Sequence, residues 1–320
     1  APLVNGQYYA GLKQPISNPA NAQEIVGELI DSDQQAIEDA LNTASEAAKY
    51  WRLSKLATRR SCLLKAADLI QENQMELLAL CVREAGKTIS DGLAEIREAI
   101  DFCRYYAQLA MELFAKPISL PGPTGEQNQL YQYGRGTFVC ISPWNFPIAI
   151  FMGQITAALV SGNTVIAKPA KQTSLVAMRC IQLLHQAGIP KEVLHFLPGE
   201  GAQIGRYLLA DSRLSGVAFT GSLATARLIN QQLAKLPSII PLIAETGGQN
   251  VMLADNSAHT EQLVQDVVQS AFNSAGQRCS ALRVLYLPHE SAEATIKRII
   301  GVMQQLLIAD PQQNTTDIGP

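Results

Sequence analysis

Histidine and cysteine are scarce in this chain of 320 residues, with four of the former and six of the latter. The cysteines at 62, 81, 103, 140, 180 and 279 form no C-x-x-C pair and do not cluster with the histidines. That spacing argues against a metal site and against a disulfide framework, and for a reducing, cytoplasmic compartment. Excess charge is lacking too. A net charge of −3 offers no reason to expect nucleic acid or an acidic membrane surface as partner. No long hydrophobic run is present: the most apolar stretch, residues 146–160, is interrupted by Gln154 and Thr156 and is too short to cross a bilayer. Internal repeats and low-complexity segments are absent as well. The chain opens Ala1-Pro2-Leu3-Val4 without a charged leader, which reads as no signal peptide and as a piece of a longer protein. What remains, 47% hydrophobic and 17% charged residues, is the composition of a globular protein long enough for two domains.

Residues 32–115 read as helical. Ser32 or Asp33 can cap the first helix, and Gly86 in Arg83-Glu84-Ala85-Gly86-Lys87-Thr88 marks a helix end, with a new start near Ser90. The Pro- and Gly-rich residues 116–125 read as an exposed turn, and residues 127–133 alternate weakly, as an edge strand would. Beyond Gly136 the pattern changes. Phe138-Val139-Cys140-Ile141, Thr164-Val165-Ile166-Ala167, Val193-Leu194-His195-Phe196-Leu197, Gly216-Val217-Ala218-Phe219 and Pro241-Leu242-Ile243-Ala244 are short apolar runs bounded by Pro, Gly or Asn. Helix-length segments separate them, which predicts an α/β fold with a doubly wound parallel sheet. Such sheets bind ligands at the carboxyl ends of their strands, where Asn145, Lys168, Thr220-Gly221-Ser222 and Glu245 fall.

Each of these positions has an ordinary reading beside a functional one. Phe219-Thr220-Gly221-Ser222 is either a glycine turn with a serine cap or a strand end whose free N–H groups hold a pyrophosphate. Gly199, Gly201 and Gly205 open a helix but do not form the G-x-G-x-x-G fingerprint. Lys168 reads as a surface cation by pattern, and Asn145 as a turn residue between two aromatics. Glu245, after an apolar strand, is either a carboxylate satisfied by backbone donors or a general base; in neither case is it expected to be a solvated charge. Cys279 follows Gly276 and adjoins Arg278 in a polar segment, where a cationic neighbour would favour the nucleophilic thiolate.

Ser142-Pro143-Trp144-Asn145-Phe146-Pro147, Lys168-Pro169-Ala170, Phe219-Thr220-Gly221-Ser222, Glu245-Thr246-Gly247-Gly248 and Gly276-Gln277-Arg278-Cys279 occur in this order, and together they resemble the aldehyde dehydrogenase superfamily. The segments 83–88, 96–106 and 272–283 further resemble the L-glutamate γ-semialdehyde (Δ1-pyrroline-5-carboxylate) dehydrogenase module of bifunctional proline utilization proteins. The resemblance covers essentially the whole chain. It implies a Rossmann-like NAD-binding domain over 1–244, with an edge strand near 127–138 of the oligomerisation-hairpin type, and the first part of an α/β catalytic domain over 245–320, cut short at Pro320.

The same resemblance implies site roles. Cys279 would be the nucleophile, Glu245 the base and Asn145 the oxyanion donor. Ile141, Ser142, Pro143, Trp144, Lys168, Gly201, Phe219, Thr220, Gly221, Ser222, Thr246 and Gly247 would contact NAD, and Phe146 and Ser280 the substrate. The expected partners are a small-molecule aldehyde, a proline dehydrogenase domain in the same full-length polypeptide, and further copies of the complete chain. Lys171 departs from the glutamate that many members carry there, which leaves NADP open as cofactor. Three alternatives stay open: another aldehyde as substrate, transfer of the acyl group to coenzyme A, and a fragment that binds cofactor without turning over.

Overall fold

A computed structural model describes all 320 residues. The chain begins with two short strands, β1 (Leu3–Val4) and β2 (Gln7–Tyr8), and a long hairpin of β3 (Lys13–Asn18) and β4 (Asn21–Ile30). Four helices follow: α1 (Gln34–Trp51), α2 (Leu56–Glu72), α3 (Gln74–Ala85) and α4 (Ile89–Phe114). Asp33 caps α1 by accepting from the Ala36 N–H, and Ala36, Ile37, Ala40, Leu41, Ala44, Ala47, Ala48 and Trp51 form its buried stripe at helical spacing. Gly86 ends α3 at φ 65°, a left-handed turn that glycine adopts without steric cost. Thr88 then caps α4 by accepting from the Asp91 N–H, so the restart lies one residue ahead of Ser90.

Next come β5 (Ile118–Leu120) and β6 (Asn128–Leu130), which pair with each other as a separate antiparallel hairpin. Two expectations change here. Residues 116–125 contain a strand as well as a turn, because Ile118 and Leu120 pair with Leu130 and Asn128. The edge strand is also shorter than 127–138, since Thr137 already belongs to the central sheet.

The α/β body comprises β7 (Thr137–Ile141), α5 (Ala149–Val160), β8 (Thr164–Lys168), α6 (Ser174–Gln186), β9 (Leu194–Phe196), α7 (Gly201–Leu208), β10 (Leu214–Thr220), α8 (Leu223–Leu233) and β11 (Leu242–Glu245). The remainder is β12 (Asn250–Leu253), α9 (Thr260–Phe272), β13 (Leu282–Tyr286) and α10 (His289–Met303). All five strands expected from the apolar runs are present. They lie parallel in a seven-stranded sheet of order β11-β10-β7-β8-β9-β1-β2. The sheet is not wholly parallel, because β1 and β2 finish it as an antiparallel edge. β12 and β13 pair in a second, two-stranded parallel sheet.

Alternation along the strands sorts side chains to the two faces. Val139, Ile166 and Val217 pack with α1, α7 and α8, whereas Phe138, Cys140, Val165, Leu194 and Ala218 pack with α2 to α6. From β7 the chain steps to β8 and β9 on one side, then crosses back to β10 and β11 on the other. The strand order therefore reverses between β7 and β10, the place where open sheets of this kind form a crevice.

Candidate functional site

A cleft of about 670 Å³ lies at the carboxyl ends of β7, β8 and β10. Ile141, Ser142, Pro143 and Trp144 enter it from β7 and the loop after it, Lys168 from β8, Gly201 from the start of α7, Phe219, Thr220, Gly221 and Ser222 from β10 and the start of α8, and Thr246 and Gly247 from the turn after β11. Asn145 and Cys279 line the same cleft. The fold thus gathers residues from six separate stretches of chain into one cavity.

Lys168 is buried rather than the surface cation its pattern suggested. Burial pulls its pKa down to about 8, against the opposing charges of Glu200 and Asp31, and its Nζ donates to the Pro169 carbonyl at 2.9 Å. It stays mostly protonated at neutral pH and offers a poorly hydrated cation to the cleft. At α8 the donors differ from the expected set. The Gly221 N–H is spent on the Glu245 carbonyl, and the Ser222 hydroxyl caps the helix by accepting from the Thr225 N–H at 3.2 Å. That leaves the Leu223 and Ala224 amides of the first turn without a partner within the helix, an anion site reinforced by the helix dipole. A cavity of this size, with a buried cation and a helix N-terminus facing it, fits a dinucleotide.

The loop carrying Cys279 is strained and heavily tied. Ser274, Ala275 and Gly276 have φ of 54°, 55° and 66°, and for the two non-glycine residues this costs about 1 kcal/mol each. Asp91, on the first turn of α4, accepts from the Ser274 N–H at 3.1 Å and from the Arg278 guanidinium at 3.0 Å. Lys87 Nζ donates to Ser274 Oγ, Arg283 to the Gly276 carbonyl, and Asn145 Nδ2 to the Gln277 carbonyl at 2.6 Å. Asn250 Nδ2 donates to the carbonyls of Cys279 and Ala281. The Arg278 cation is therefore matched by Asp91 instead of being left to activate the neighbouring thiol. Asn145 is within reach of the Cys279 loop, and any other acceptor would have to take its amide from Gln277.

A second cavity, of about 490 Å³, meets the first at a wall shared by Ile150, Phe219, Thr220 and Cys279. Phe102 and Tyr106 of α4, Gln154, Phe219, Ile243 and Glu245 line it. Cys279 and Glu245 thus share a cavity. Glu245 is exposed, contrary to the expectation from its apolar strand; β11 is the outermost strand of the sheet, hydrogen-bonded to β10 alone, and only Leu242 of its four residues packs against the core. Phe146 lies beneath Lys87 and Arg278, with their charges 5.0 and 5.8 Å from its ring centre, and lines neither cavity. Ser280, in the exposed turn after Cys279, lines neither as well.

Sequence reading gave no role to Asp91, Asn250, Phe102 or Tyr106. Phe102 and Tyr106 carried a usable signal, an aromatic pair one helical turn apart. Asp91 and Asn250 carried none, since their partners lie 183 and 187 residues from Asp91 and 29 and 31 from Asn250.

The aldehyde dehydrogenase family profile matches residues 9–320. The chain is 45% identical over 323 residues to the bifunctional protein PutA of Escherichia coli K12, covering all of this chain and 24% of that protein. It is 38% identical over 307 residues to the 1-pyrroline-5-carboxylate dehydrogenase of Anoxybacillus flavithermus, covering 95% of this chain and 59% of that one. Among solved structures, the 1-pyrroline-5-carboxylate dehydrogenase from Thermus with bound NAD superposes with a TM-score of 0.95 at 33% identity, over all of this chain and 63% of that one. The chain spans about a quarter of the first relative and under two thirds of the other two. With its profile matched from residue 9 to its last residue, this chain belongs to the aldehyde dehydrogenase family.

Proposed function

We propose that this chain carries out the NAD-dependent oxidation of L-glutamate γ-semialdehyde to L-glutamate, as the second oxidation in proline breakdown. One observation carries the reading: Cys279 stands where a dinucleotide-sized cleft meets a smaller cavity that holds Glu245. Two relatives, named for 1-pyrroline-5-carboxylate dehydrogenase and for PutA, support the choice of substrate, and a structural relative with bound NAD supports the cofactor.

In this reading the Cys279 thiolate attacks the aldehyde carbon, and the carbonyl oxygen becomes an oxyanion held by the Asn145 amide. A single preorganised donor of this kind is worth about 3 kcal/mol in the transition state. Lys168, Gly201 and the first turn of α8 hold NAD, which when bound accepts the hydride from the carbon carried on Cys279. The resulting thioester on Cys279 is hydrolysed by water that gives one proton to Glu245, which restores the thiolate and releases the carboxylic acid, whose own proton goes to solvent. Residues 1–244 act as the cofactor-binding unit and 245–320 as the start of the catalytic unit. The β5–β6 hairpin serves self-assembly, and a proline-oxidising domain shares the full-length polypeptide.

Exposure of Glu245 favours one second reading, in which this chain by itself binds cofactor but turns over slowly. Incubation with NAD and glutamate semialdehyde, followed by NADH absorbance and by glutamate, separates the two. Equal amounts of NADH and glutamate are expected, independent of coenzyme A and abolished in Cys279→Ser, with NAD affinity retained in that variant. NADH that appears only with coenzyme A would overturn the hydrolytic reading. NAD binding without NADH would favour the second reading.

A further inference from the structure

Cys279 stands second in a tight turn, Arg278-Cys279-Ser280-Ala281, closed by the Ala281 N–H donating to the Arg278 carbonyl at 3.2 Å. The carbonyls of Cys279 and Ala281 both face one side chain. Asn250, the half-buried first residue of β12, donates from Nδ2 to the Cys279 carbonyl at 2.6 Å and to the Ala281 carbonyl at 2.9 Å. A primary amide suits this task, because its one nitrogen carries two N–H donors. Asn250 lies two residues beyond Gly248, at the far end of the turn that follows Glu245. Gly248 packs on the same contact: a methyl group there would stand 3.1 Å from Asn250 Oδ1 and 3.2 Å from the Cys279 carbonyl oxygen. One side chain therefore ties the turn after Glu245 to the turn that carries Cys279. The strand register is displaced at this junction. Asn250 stands opposite Leu282 and Val251 opposite Val284, which leaves Arg283 over as a bulge, a feature that re-aims a side chain. Its guanidinium donates to the Gly276 carbonyl at 2.7 Å, on the other side of Cys279.

We propose that Asn250 is a positioning residue, which fixes the direction in which Cys279 presents its thiol and the gap between that thiol and Glu245. The inference rests on the roles of Cys279 and Glu245 given above, and deepens them. A held carbonyl fixes the plane of its peptide, so the bond from Asn250, together with the closure between Arg278 and Ala281, limits the rotation of Cys279 about its backbone. Attack by an exposed thiol on an activated acyl carbon tolerates some freedom. Hydrolysis does not, because the thioester and the base must reach one water at the same time. A misplacement of about 1 Å can cost on the order of a hundredfold in such a step. Loss of the amide therefore falls on hydrolysis more than on acylation.

p-Nitrophenyl acetate separates the two steps without a cofactor. The Cys279 thiolate displaces p-nitrophenolate and takes the acetyl group as a thioester, read as a burst. Water then releases acetic acid, giving one proton to Glu245 while the acid's own proton goes to solvent, and this step sets the steady rate. Asn250→Ala should keep the acylation rate within about threefold of the parent's and lower the steady rate by at least about tenfold. Asn250→Gln, which keeps both donors on a longer arm, should recover most of that loss. Met252→Ala, on the same face of β12, is the structural control: it should lower the melting temperature and leave the ratio of steady rate to acylation rate unchanged. The proposal is overturned if Asn250→Ala keeps that ratio within about twofold of the parent's, or if Met252→Ala shifts it as far. Independently of any variant's folding, both Nδ2 protons of Asn250 in the parent should exchange with solvent more slowly than those of the exposed Asn256, and equally fast exchange would overturn the proposal alone. A parent that releases no more p-nitrophenolate than Cys279→Ser would overturn the role of Cys279 and the proposal with it. A Glu245→Gln protein with the parent's steady rate would do the same for Glu245.

Discussion

Replacing Asp91 by Asn removes the charge that answers Arg278 and weakens the acceptor for the Ser274 N–H and the Thr88 hydroxyl. Those bonds hold a loop whose backbone stays in the left-handed region for three residues running. Asp91→Asn is expected to cost about 1–3 kcal/mol of stability, read as a lower urea midpoint. Faster hydrogen exchange at residues 274–279 should accompany it, with NAD affinity unchanged. A variant whose loop exchanges as slowly as the parent's would show that Asp91 does not hold it. Cys279 allows a simpler check. It is the exposed cysteine of six, and the other five are buried. A thiol reagent at neutral pH should therefore label one cysteine in the folded parent, none in Cys279→Ser, and all six in the denatured parent. Fast labelling of a second cysteine in the folded state would contradict the packing described for the helical layer.

Two buried glutamates set the helices that frame the site, and their titration gives the fold a pH dependence. Glu84 of α3 accepts from the N–H groups of Leu175 and Val176 at the start of α6. Glu95 of α4 accepts from the Ala149 N–H at the start of α5. Burial pushes both carboxyls from the ordinary 4.5 up to about 7, against the lowering effect of the amide donors at Glu84 and of the Lys87 charge and the Ala149 amide at Glu95. A raised carboxyl pKa favours the protonated native state. Below about pH 4.5 native and unfolded chains both hold the proton and this contribution is whole. As pH rises from there to about 7 the unfolded chain ionises first, and the contribution is lost. The change is on the order of 3 kcal/mol per carboxyl. Glu95→Gln keeps an acceptor for Ala149 and cannot ionise. Its urea midpoint should fall less between pH 5 and pH 8 than the parent's, and a parallel fall in both proteins would rule out Glu95 as a source of the slope.

The molecule as a whole is unevenly covered. Its larger core is sealed between the sheet and α2 to α6, yet β11 to β13 and the segment after α10 leave apolar side chains in solvent: Ile243, Leu253, Tyr286 and Ile308, each more than half exposed. β11 and both strands of the β12–β13 sheet also carry unpaired edges. Exposed apolar strands of this kind invite self-association. Sedimentation of the purified chain should show concentration-dependent association, reduced by Leu253→Lys with Ile308→Lys. A chain that stays monomeric at high concentration, with no gain from those substitutions, would show that this surface is innocuous.

Much of this architecture is local and was therefore legible in the sequence. Four of the five parallel strands, β7 to β10, stand out because a strand buried on both faces must be a short apolar run closed by Pro, Gly or Asn. Asp33, Gly86 and the restart near Ser90 reveal helix ends through capping chemistry that acts over three or four residues. The Gly276-Gln277-Arg278-Cys279 and Glu245-Thr246-Gly247-Gly248 segments identify the family because they are contiguous. The first 31 residues carried no such signal, and their hairpin and edge strands emerge only on folding. An apolar run states that a strand can be buried, not which neighbour buries it, and so the outermost place of β11 came from the order of the sheet and the exposure of Glu245 from how little of that strand the core covers. In the same way Arg278 reads as a charge beside a thiol until the tertiary structure brings Asp91 from 187 residues away to neutralise it, and Lys171 reads as a free cation until Asp31 arrives from 140 residues away. Local propensity and contiguous motifs are properties of the chain, but charge compensation acts over a few ångströms in space, and only the fold decides which groups come that close.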